Sequence, residues 1–237
     1  MDLERLRYYT AWTHYANRQA YESPADPWKL LSVAPGDVEW YTDRSLKWGL
    51  GRVEGGSWDR EQNCRRLAET TTIRALRQRF EEGVDWEETV LYRRAAEQFE
   101  EGTQFRGYGS LSDFRQQRCA YLDDLYDSIA SEGYRANREA GHENPHATSN
   151  QFEDAYVHKL EPLVAIGREG RIRWVEGYHR LGIASILGID EIPVQVLCRH
   201  EGWQEIRDRV GGPQKEGAGP GPGCRGHPDL ADVCSGL

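Results

Sequence analysis

The segment Gly177-Tyr178-His179-Arg180 is the part of this sequence best suited to chemistry. A β-rich run ends at Glu176, the glycine then permits a tight turn, and a helical pattern begins with two side chains that can carry positive charge. Cations are unfavourable at a helix N-terminus, which has free N–H groups and a partial positive charge, unless an anion lies nearby. A bound phosphate would satisfy both the amides and the cations.

A structural interpretation of the same turn stays open. Glu176 could neutralise Arg180, and His179 could be a hydrogen-bonded residue of the fold. Spacing alone does not decide between the two interpretations, because short motifs also occur by chance.

Arg199 and His200 come at the end of a β-rich run, with Trp203 close behind. Side chains at a strand end often line a site, so these two could reach the same anion or a second substrate. The alternative is an arginine whose aliphatic stem covers an aromatic surface while its charge stays in water.

Residues 48–59 combine glycines with tryptophans and are expected to form a shaped loop rather than a linker. The glycines allow close backbone approach, Trp58 offers a stacking surface, and Asp59 could serve as a metal-binding or base carboxylate if the loop folds over a ligand. The alternative is that the tryptophans only cover the core.

We predict no protein-held metal site. His142 and His146 have the spacing of zinc ligands on a helix, but Pro145 lies between them and the segment is typical of a loop. The five cysteines include no Cys-x-x-Cys pair, which argues against a four-cysteine zinc site and against a disulfide scaffold. The tail offers only three ligands, Cys224, His227 and Cys234.

Hydrophobic spacing and turn residues predict an α+β fold. Helices are expected over residues 2–18, in three segments between 66 and 131, over 179–187, and near Trp203. Strands are expected over residues 38–41, 163–166, 171–175 and 192–198, the second and third joined as a hairpin. Residues 211–237 are rich in glycine and proline, and we expect this tail to be disordered.

Charge and composition limit the function classes. The 237-residue chain has a formal net charge of −9, which opposes non-specific binding to nucleic acid unless a local basic patch exists. Direct DNA binding is therefore not expected. No apolar run is long enough to span a bilayer and the N-terminus lacks a secretory pattern, so we expect a cytoplasmic protein without a membrane partner. The excess of acidic residues is typical of a salt-adapted, halophile-like host.

Several motifs in chain order resemble the ParB/sulfiredoxin superfamily. Members share a helix with the pattern L-x-x-S-I-x-x-x-G, a hairpin, a G-x-x-R turn that opens a helix, and L-G-x-x-x-I-P-V before a strand. Here these patterns are found at 125–133, 177–180 and 187–194. The G-x-H-R form at 177–180 looks like the sulfiredoxin and free serine kinase branches rather than the chromosome-partitioning branch.

The resemblance implies a ParB/sulfiredoxin-like fold, with a small mixed sheet, flanking helices and a long helical insertion. On this basis residues 1–210 form a single domain. Its core is 122–210 together with a strand near 38–41, and the helical insertion covers 45–120.

The resemblance also implies a nucleotide site, with phosphate contacts from Gly177, His179 and Arg180. Sulfiredoxins have their catalytic cysteine where this chain has Tyr178, so reduction of sulfinic acids is not expected. Partitioning proteins carry a helical DNA-reading domain after this fold, and only a short tail follows residue 210 here. Free serine kinases need a catalytic glutamate near the first strand, and Glu39 is the nearest candidate.

We therefore expect a nucleotide-binding protein, an NTP-dependent phosphotransferase or NTPase that uses ATP or CTP with Mg²⁺ and an unidentified small-molecule or protein substrate. Placement of the phosphates would supply most of the catalysis, assisted by Glu39 or Asp59. The alternative is a non-enzymatic, nucleotide-gated or DNA-associated binding module. A third possibility is a fold whose site has decayed.

Overall fold

A mixed sheet of seven strands organises the chain. The structure is a computed structural model, and it describes residues 3–137, 160–212 and 226–234. The strands are β1 (Leu30–Val33), β2 (Trp40–Tyr41), β3 (Arg52–Glu54), β4 (Arg65–Arg66), β5 (Leu163–Ile166), β6 (Ile172–Glu176) and β7 (Ile192–His200). Their order is β1-β7-β5-β6-β2-β4, and β3 also pairs with β7. The α+β class predicted from the sequence is confirmed.

Helices cover the sheet. They are α1 (Leu3–Ala20), α2 (Thr71–Phe80), α3 (Val90–Glu100), α4 (Leu111–Asp113), α5 (Ala120–Glu132), α6 (Tyr178–Ile186), α7 (Glu201–Gly211) and α8 (Ala231–Cys234). A π-helical segment, Phe114–Cys119, joins α4 to α5 without a break. Short 3₁₀ turns include Leu46–Trp48, Leu67–Glu69 and Pro228–Leu230.

Within the described residues, no helix is both long and apolar enough to cross a membrane.

Alternation along the central strands separates two apolar clusters. In β5, Val164 and Ile166 belong to the larger cluster, which α2, α5 and α6 complete, while Leu163 and Ala165 belong to a smaller one. Both faces of β5 are therefore covered, and all four of its residues are buried. This explains why the strand is a continuous apolar run rather than an alternating one.

The predicted hairpin, the helix after it and the following strand are confirmed. β5 and β6 pair antiparallel around a turn in which Gly167 N–H binds the Arg171 carbonyl at 2.9 Å. β7 then returns parallel to β5. The helix α6 lies between β6 and β7 along the chain, where the sequence pattern placed it.

Residues 45–120, which the resemblance implies to be a long, mostly helical insertion, also contribute two strands. β3 pairs with β7 and β4 pairs with β2, so both strands belong to the main sheet. β1, at Leu30–Val33, was also missed. These strands have two to four residues, and β4 consists of two exposed arginines. Such segments become strands because a neighbour supplies the backbone hydrogen bonds, which no local pattern reveals.

The expectation of a fully disordered tail is wrong for residues 226–234. Leu230 and Asp229 are almost completely buried, and Asp229 accepts hydrogen bonds from the Arg199 guanidinium at 2.5 and 2.9 Å and from Trp203 Nε1 at 2.9 Å. Arg207 donates to the Asp229 backbone carbonyl. A buried ion pair holds this short segment on the domain in spite of its loop-like composition.

Substituting Asp229 by alanine should lower the free energy of unfolding by about 3–5 kcal/mol, because Arg199 and Arg207 would remain buried without their shared carboxylate. Asp232→Ala is the matched control. Asp232 also pairs with Arg207 but lies partly in solvent, so its loss should cost less than about 1 kcal/mol. Urea unfolding followed by circular dichroism measures both effects. Equal losses for the two variants would contradict the role assigned to Asp229.

Candidate functional site

The turn at Gly177 has the backbone geometry that the sequence indicated. Gly177 is the N-cap of α6 with φ 90° and ψ 36°, a left-handed conformation that favours glycine, and no side chain caps the helix. A Cβ atom here would lie 3.0 Å from the Cβ of Pro162. The glycine is thus required by the turn and by the close approach of Pro162.

Arg180 is held by the protein itself. Its Nη1 donates to Asn137 Oδ1 at 2.7 Å and to Glu161 Oε2 at 3.3 Å, and its Nη2 donates to the carbonyl of Leu160 at 3.1 Å. Glu161 is only 5% exposed. A buried carboxylate of the chain therefore pairs with the Arg180 guanidinium and ties α6 to the segment before β5. The assignment of Arg180 to a phosphate stays a prediction.

His179 also faces the fold. Its Nε2 lies 3.4 Å from Nη2 of Arg118, a buried residue of the π-helical segment. The contact joins the first turn of α6 to the helix Leu111–Glu132. The structural alternative for His179, a hydrogen-bonded residue of the fold, matches this position.

Arg199 and His200 do not join the Gly177 turn. In the sheet, Leu163 lies opposite Glu176 and beside Gln195, whereas Arg199 lies four residues further along β7, roughly 13 Å away. Because β6 runs antiparallel to β5 and β7 runs parallel to it, the last residues of β6 and of β7 lie at opposite ends of β5. The predicted single site of five residues is therefore divided.

Asp59 lies beside His200 at the end of β7, in a buried polar cluster. Its carboxylate accepts from the backbone N–H of Arg168 at 2.8 Å and from the Arg168 guanidinium at 2.6 to 3.1 Å, and His200 Nε2 is 3.8 Å away. Burial would raise the pKa of Asp59, but these hydrogen bonds and the His200 charge outweigh it and lower the pKa to about 2. Asp59 fastens residues 55–60 to the β5–β6 turn, and its catalytic role stays a prediction.

Glu39 is exposed and pairs with Arg66, whose Nη1 lies 2.6 Å from Glu39 Oε2. It lines a small cavity of about 190 Å³ together with Leu181 and Gly182 of α6. Glu39 therefore lies near α6, but its carboxylate belongs to a surface ion pair. Its catalytic role stays a prediction.

Of the cysteine and histidine ligands considered above, the structure describes His227 and Cys234. Among the described residues, no group of three or more His, Cys, Asp or Glu side chains could hold a metal ion. His142, His146 and Cys224 lie outside the described ranges. His227 accepts from the N–H of Asp229 at 3.1 Å and lies 2.8 Å from the Gly170 carbonyl, so it belongs to the docked tail.

A larger cavity, of about 570 Å³, opens beside the first turn of α6, and we call it the arginine cavity. Its walls come from β2, from the segment 64–72, from α3, from the turn at 106 and from α6. The lining residues are Trp40, Tyr41, Cys64, Arg65, Arg66, Glu69, Thr70, Thr71, Thr72, Arg94, Arg106 and Tyr178.

Positive charge dominates this cavity. Four of its lining side chains are arginines and one is a carboxylate, Glu69, which gives a formal charge of +3 in a chain whose net charge is −9. Arg106 donates to Thr72 Oγ1 at 3.0 Å and Arg94 to Thr71 Oγ1 at 3.4 Å. The threonine hydroxyls thus position two guanidinium groups at the wall.

The N-terminus of α2 ends in the same cavity. Thr70 is its N-cap, but the Thr70 hydroxyl donates to the Leu67 carbonyl at 2.8 Å and no side chain caps the helix. The first N–H groups of a helix have no intrahelical acceptor and carry a partial positive charge. Arginines at such a position are unfavourable on their own, and an anion would compensate for both charges.

Arg106 has a strained backbone. Among the described residues it is the one non-glycine residue with a left-handed φ, 51°, and Gly107 follows with φ 84°. The flanking rings of Phe105 and Tyr108 pack on Phe114 at 5.2 and 5.6 Å between centroids, and this packing fixes the tight turn. Strain of this kind is retained where surrounding packing enforces it, often at binding sites.

The cavity also has an aromatic wall, formed by Trp40, Tyr41 and Tyr178. Tyr178, the second residue of the Gly177–Arg180 turn, lies against Tyr41 with ring centroids 5.3 Å apart. Burial and then the hydrogen bond with Tyr41 raise the pKa of the Tyr178 phenol, so it stays protonated. On the other side, the Arg66 guanidinium lies 4.0 Å from the centre of the Trp40 ring.

Sequence reasoning missed the arginine cavity because its residues come from five separate segments. Arg94 and Arg106 lie far along the chain from Tyr41 and Tyr178, and neither belongs to a motif. The run Thr70-Thr71-Thr72 at the start of a helical pattern was the available signal, since threonines are favoured where a helix begins.

Comparison of the chain with known protein families, curated proteins and solved structures found no match.

The low pKa of Asp59 predicts acid sensitivity. A carboxyl group whose pKa falls on folding, here from 3.8 to about 2, stabilises the fold above pH 4 and loses that contribution as the pH falls towards 2. The contribution is about 2 kcal/mol. Asp229, with its pKa also lowered to about 2, acts in the same direction.

Unfolding free energies of the wild type and of Asp59→Asn between pH 7 and pH 2 test this. The variant should lose less stability than the wild type between pH 4 and pH 2, because it has one titrating group fewer. Asp37→Asn, at an exposed position, is the control and should follow the wild type. Parallel pH profiles for Asp59→Asn and the wild type would show that Asp59 is not the group responsible.

Proposed function

We propose that this protein binds a nucleotide in the arginine cavity, with the phosphates at the N-terminus of α2 and the base against the aromatic wall. The single observation that carries this function is the presence of four arginines, an uncapped helix N-terminus and aromatic rings in one cavity.

The phosphates are placed by charge. Guanidinium groups match phosphate oxygens with paired hydrogen bonds, and hydrogen bonds between charged groups are stronger than neutral ones. Arg94 and Arg106 flank the first turn of α2 through Thr71 and Thr72. A phosphate between them would accept from both guanidinium groups and from the free amides of the helix.

The base and sugar are placed by size and shape. A volume of about 570 Å³ lies within the roughly 300–1,000 Å³ that small-molecule and cofactor pockets occupy. Tyr41 and Tyr178 line the same cavity and supply ring surfaces. A phosphate-only ligand would leave this aromatic wall without a role, which favours a nucleotide over a free anion.

The superfamily resemblance supports the same ligand by a different route. It implies nucleotide binding at the Gly177–Arg180 turn, and Tyr178 of that turn lines the arginine cavity. The proposed site therefore keeps the turn as one wall and replaces Arg180 by Arg94 and Arg106 as phosphate ligands. The ParB/sulfiredoxin-like fold itself is part of this proposal.

Phosphotransfer or NTP hydrolysis with Mg²⁺ is the chemistry that the resemblance implies. Glu39 and Asp59 are not among the residues that line the arginine cavity, and Glu69 is its carboxylate. We therefore limit the proposed function to nucleotide binding, for which the contacts are on hand, and assign no catalytic residue.

Calorimetric titration with ATP, ADP and CTP in the presence of Mg²⁺ tests the function. We expect binding by the wild type, and the double variant Arg94→Ala/Arg106→Ala should bind at least thirtyfold more weakly, since a hydrogen bond to a charged group contributes roughly 1.5–3 kcal/mol. Arg93→Ala, an exposed neighbour on α3 outside the cavity, is the control and should bind normally.

Arg180→Ala separates this site from the Gly177 turn. Because Arg180 pairs with Glu161, its loss should lower the melting temperature but leave the affinity of the folded protein for the nucleotide unchanged. The proposed function is wrong if none of the nucleotides gives heat above background, or if Arg180→Ala abolishes binding while Arg94→Ala/Arg106→Ala retains it.

A further inference from the structure

The outer face of α1 presents aromatic side chains to solvent. Tyr8, Trp12 and Tyr15 are 66%, 63% and 61% exposed. At 100° per residue they form one stripe, opposite the buried residues Leu6 and Thr10 that hold the helix on the domain. A group of large apolar side chains on a surface marks an interaction site, whereas single exposed ones are common.

Arginines flank this stripe on both sides. The helical period places Arg5 on one side of the aromatic rings, and Arg18 with Glu4 and then Arg7 on the other. All three arginines are exposed. Glu4 is the one acidic residue of α1, so the helix has a formal charge of +2. The rest of the chain is strongly acidic, since the whole carries −9. α1 is thus a positively charged element of an acidic chain, as the arginine cavity is a positively charged site.

The neighbouring 3₁₀ turn continues the same surface. Trp48 is 55% exposed and lies edge-on to Tyr9 of α1, with ring centroids 5.4 Å apart. Lys47 precedes it and is exposed. We call the combined surface the α1 face, formed by Arg5, Arg7, Tyr8, Trp12, Tyr15, Arg18, Lys47 and Trp48.

We propose that the α1 face binds single-stranded nucleic acid. Exposed aromatic rings stack on unpaired bases while neighbouring cations contact the phosphates, and this combination tolerates any sequence. Duplex DNA buries the faces of its bases in the stack, so it could use only the cations. The net charge of −9 disfavours binding of a polyanion to the acidic parts of the surface and so favours basic patches such as this one.

A second copy of the chain fits the α1 face less well. Its exposed large side chains are aromatic, whereas the apolar centre of a helix–helix contact is usually built from aliphatic residues. Antiparallel pairing of two α1 helices would also bring Arg5 of one copy close to Arg18 of the other. The charge on this face therefore favours an anionic ligand.

The α1 face is independent of the nucleotide proposal. α1 packs against β3 and the Leu46–Trp48 turn, next to β7 in the sheet, whereas the arginine cavity is formed at β2 and β4 at the other edge. The two surfaces can therefore be tested with separate variants of the same full-length chain.

Fluorescence anisotropy with labelled oligothymidylate and oligouridylate of about 20 nucleotides, long enough for typical single-strand sites, measures the binding. We expect the double variant Trp12→Ala/Tyr15→Ala to weaken it tenfold or more, without a change in circular dichroism or melting temperature, because both side chains are exposed. Trp28→Ala is the control, since Trp28 is a partly exposed tryptophan outside the α1 face.

Salt dependence tests the cations separately. Binding of single strands weakens with salt with a slope of about −0.7 per phosphate contact, so Arg7→Ala/Arg18→Ala should reduce the magnitude of the slope by about 1.4. Arg94→Ala/Arg106→Ala should bind the oligonucleotides like the wild type, which separates a failure of this proposal from a failure of the nucleotide site.

Four results would overturn the α1 assignment: no binding of either oligonucleotide at low salt, unchanged binding after loss of Trp12 and Tyr15, equal affinity for duplex DNA, or competition by polyglutamate as strong as that by unlabelled oligonucleotide at matched charge. Sedimentation of the free protein covers the remaining occupant. A dimer that dissociates in Trp12→Ala/Tyr15→Ala would assign the surface to a second copy of the chain instead.

Discussion

The repulsion among four guanidinium groups that share one cavity with the positive end of a helix is the constraint on which the candidate site depends. Glu69 is the one acidic residue that lines this cavity, and the basic ones are Arg65, Arg66, Arg94 and Arg106. The fold tolerates this arrangement through local partners. Arg66 lies on the Trp40 ring and pairs with Glu39. The hydroxyls of Thr71 and Thr72 accept hydrogen bonds from the guanidinium groups of Arg94 and Arg106. These contacts position the arginines, and the residues that line the cavity carry a formal charge of +3, which is the state expected of a site prepared for an anion.

The sheet decides which residues can meet. Because β6 is antiparallel to β5 while β7 is parallel to it, the chain leaves β6 and β7 at opposite ends of the strands. Near the end of β7, three polar residues stabilise one another and fasten the loop before Asp59 to the hairpin: Asp59, Arg168 and His200. Arg199 is used in the same way by the docked tail. Strong ion pairs of this chain are thus mostly structural, and the arginine cavity is distinguished by its excess of one charge.

Sequence reasoning succeeded where a pattern is local. The hairpin, α6 and β7 follow from apolar runs and glycine turns, and the left-handed Gly177 follows from the need for a tight turn before a helix. It failed where the decisive partner is distant along the chain. Arg180 pairs with Glu161 and Arg199 with Asp229, and neither carboxylate is marked by spacing or composition. The short strands β3 and β4 exist through their pairing with β7 and β2, and the arginine cavity is assembled from five segments, so neither could be predicted from any single stretch.

The central claim, that the arginine cavity holds the phosphates of a nucleotide, is tested most directly by a crystal structure with a non-hydrolysable ATP analogue and Mg²⁺. We expect phosphate oxygens within about 3 Å of the first-turn amides of α2 and of the Arg94 and Arg106 guanidinium groups, with the base near Tyr41 and Tyr178. A nucleotide bound instead at the Gly177–Arg180 turn, with the Arg180–Glu161 pair broken and the arginine cavity empty, would contradict the claim.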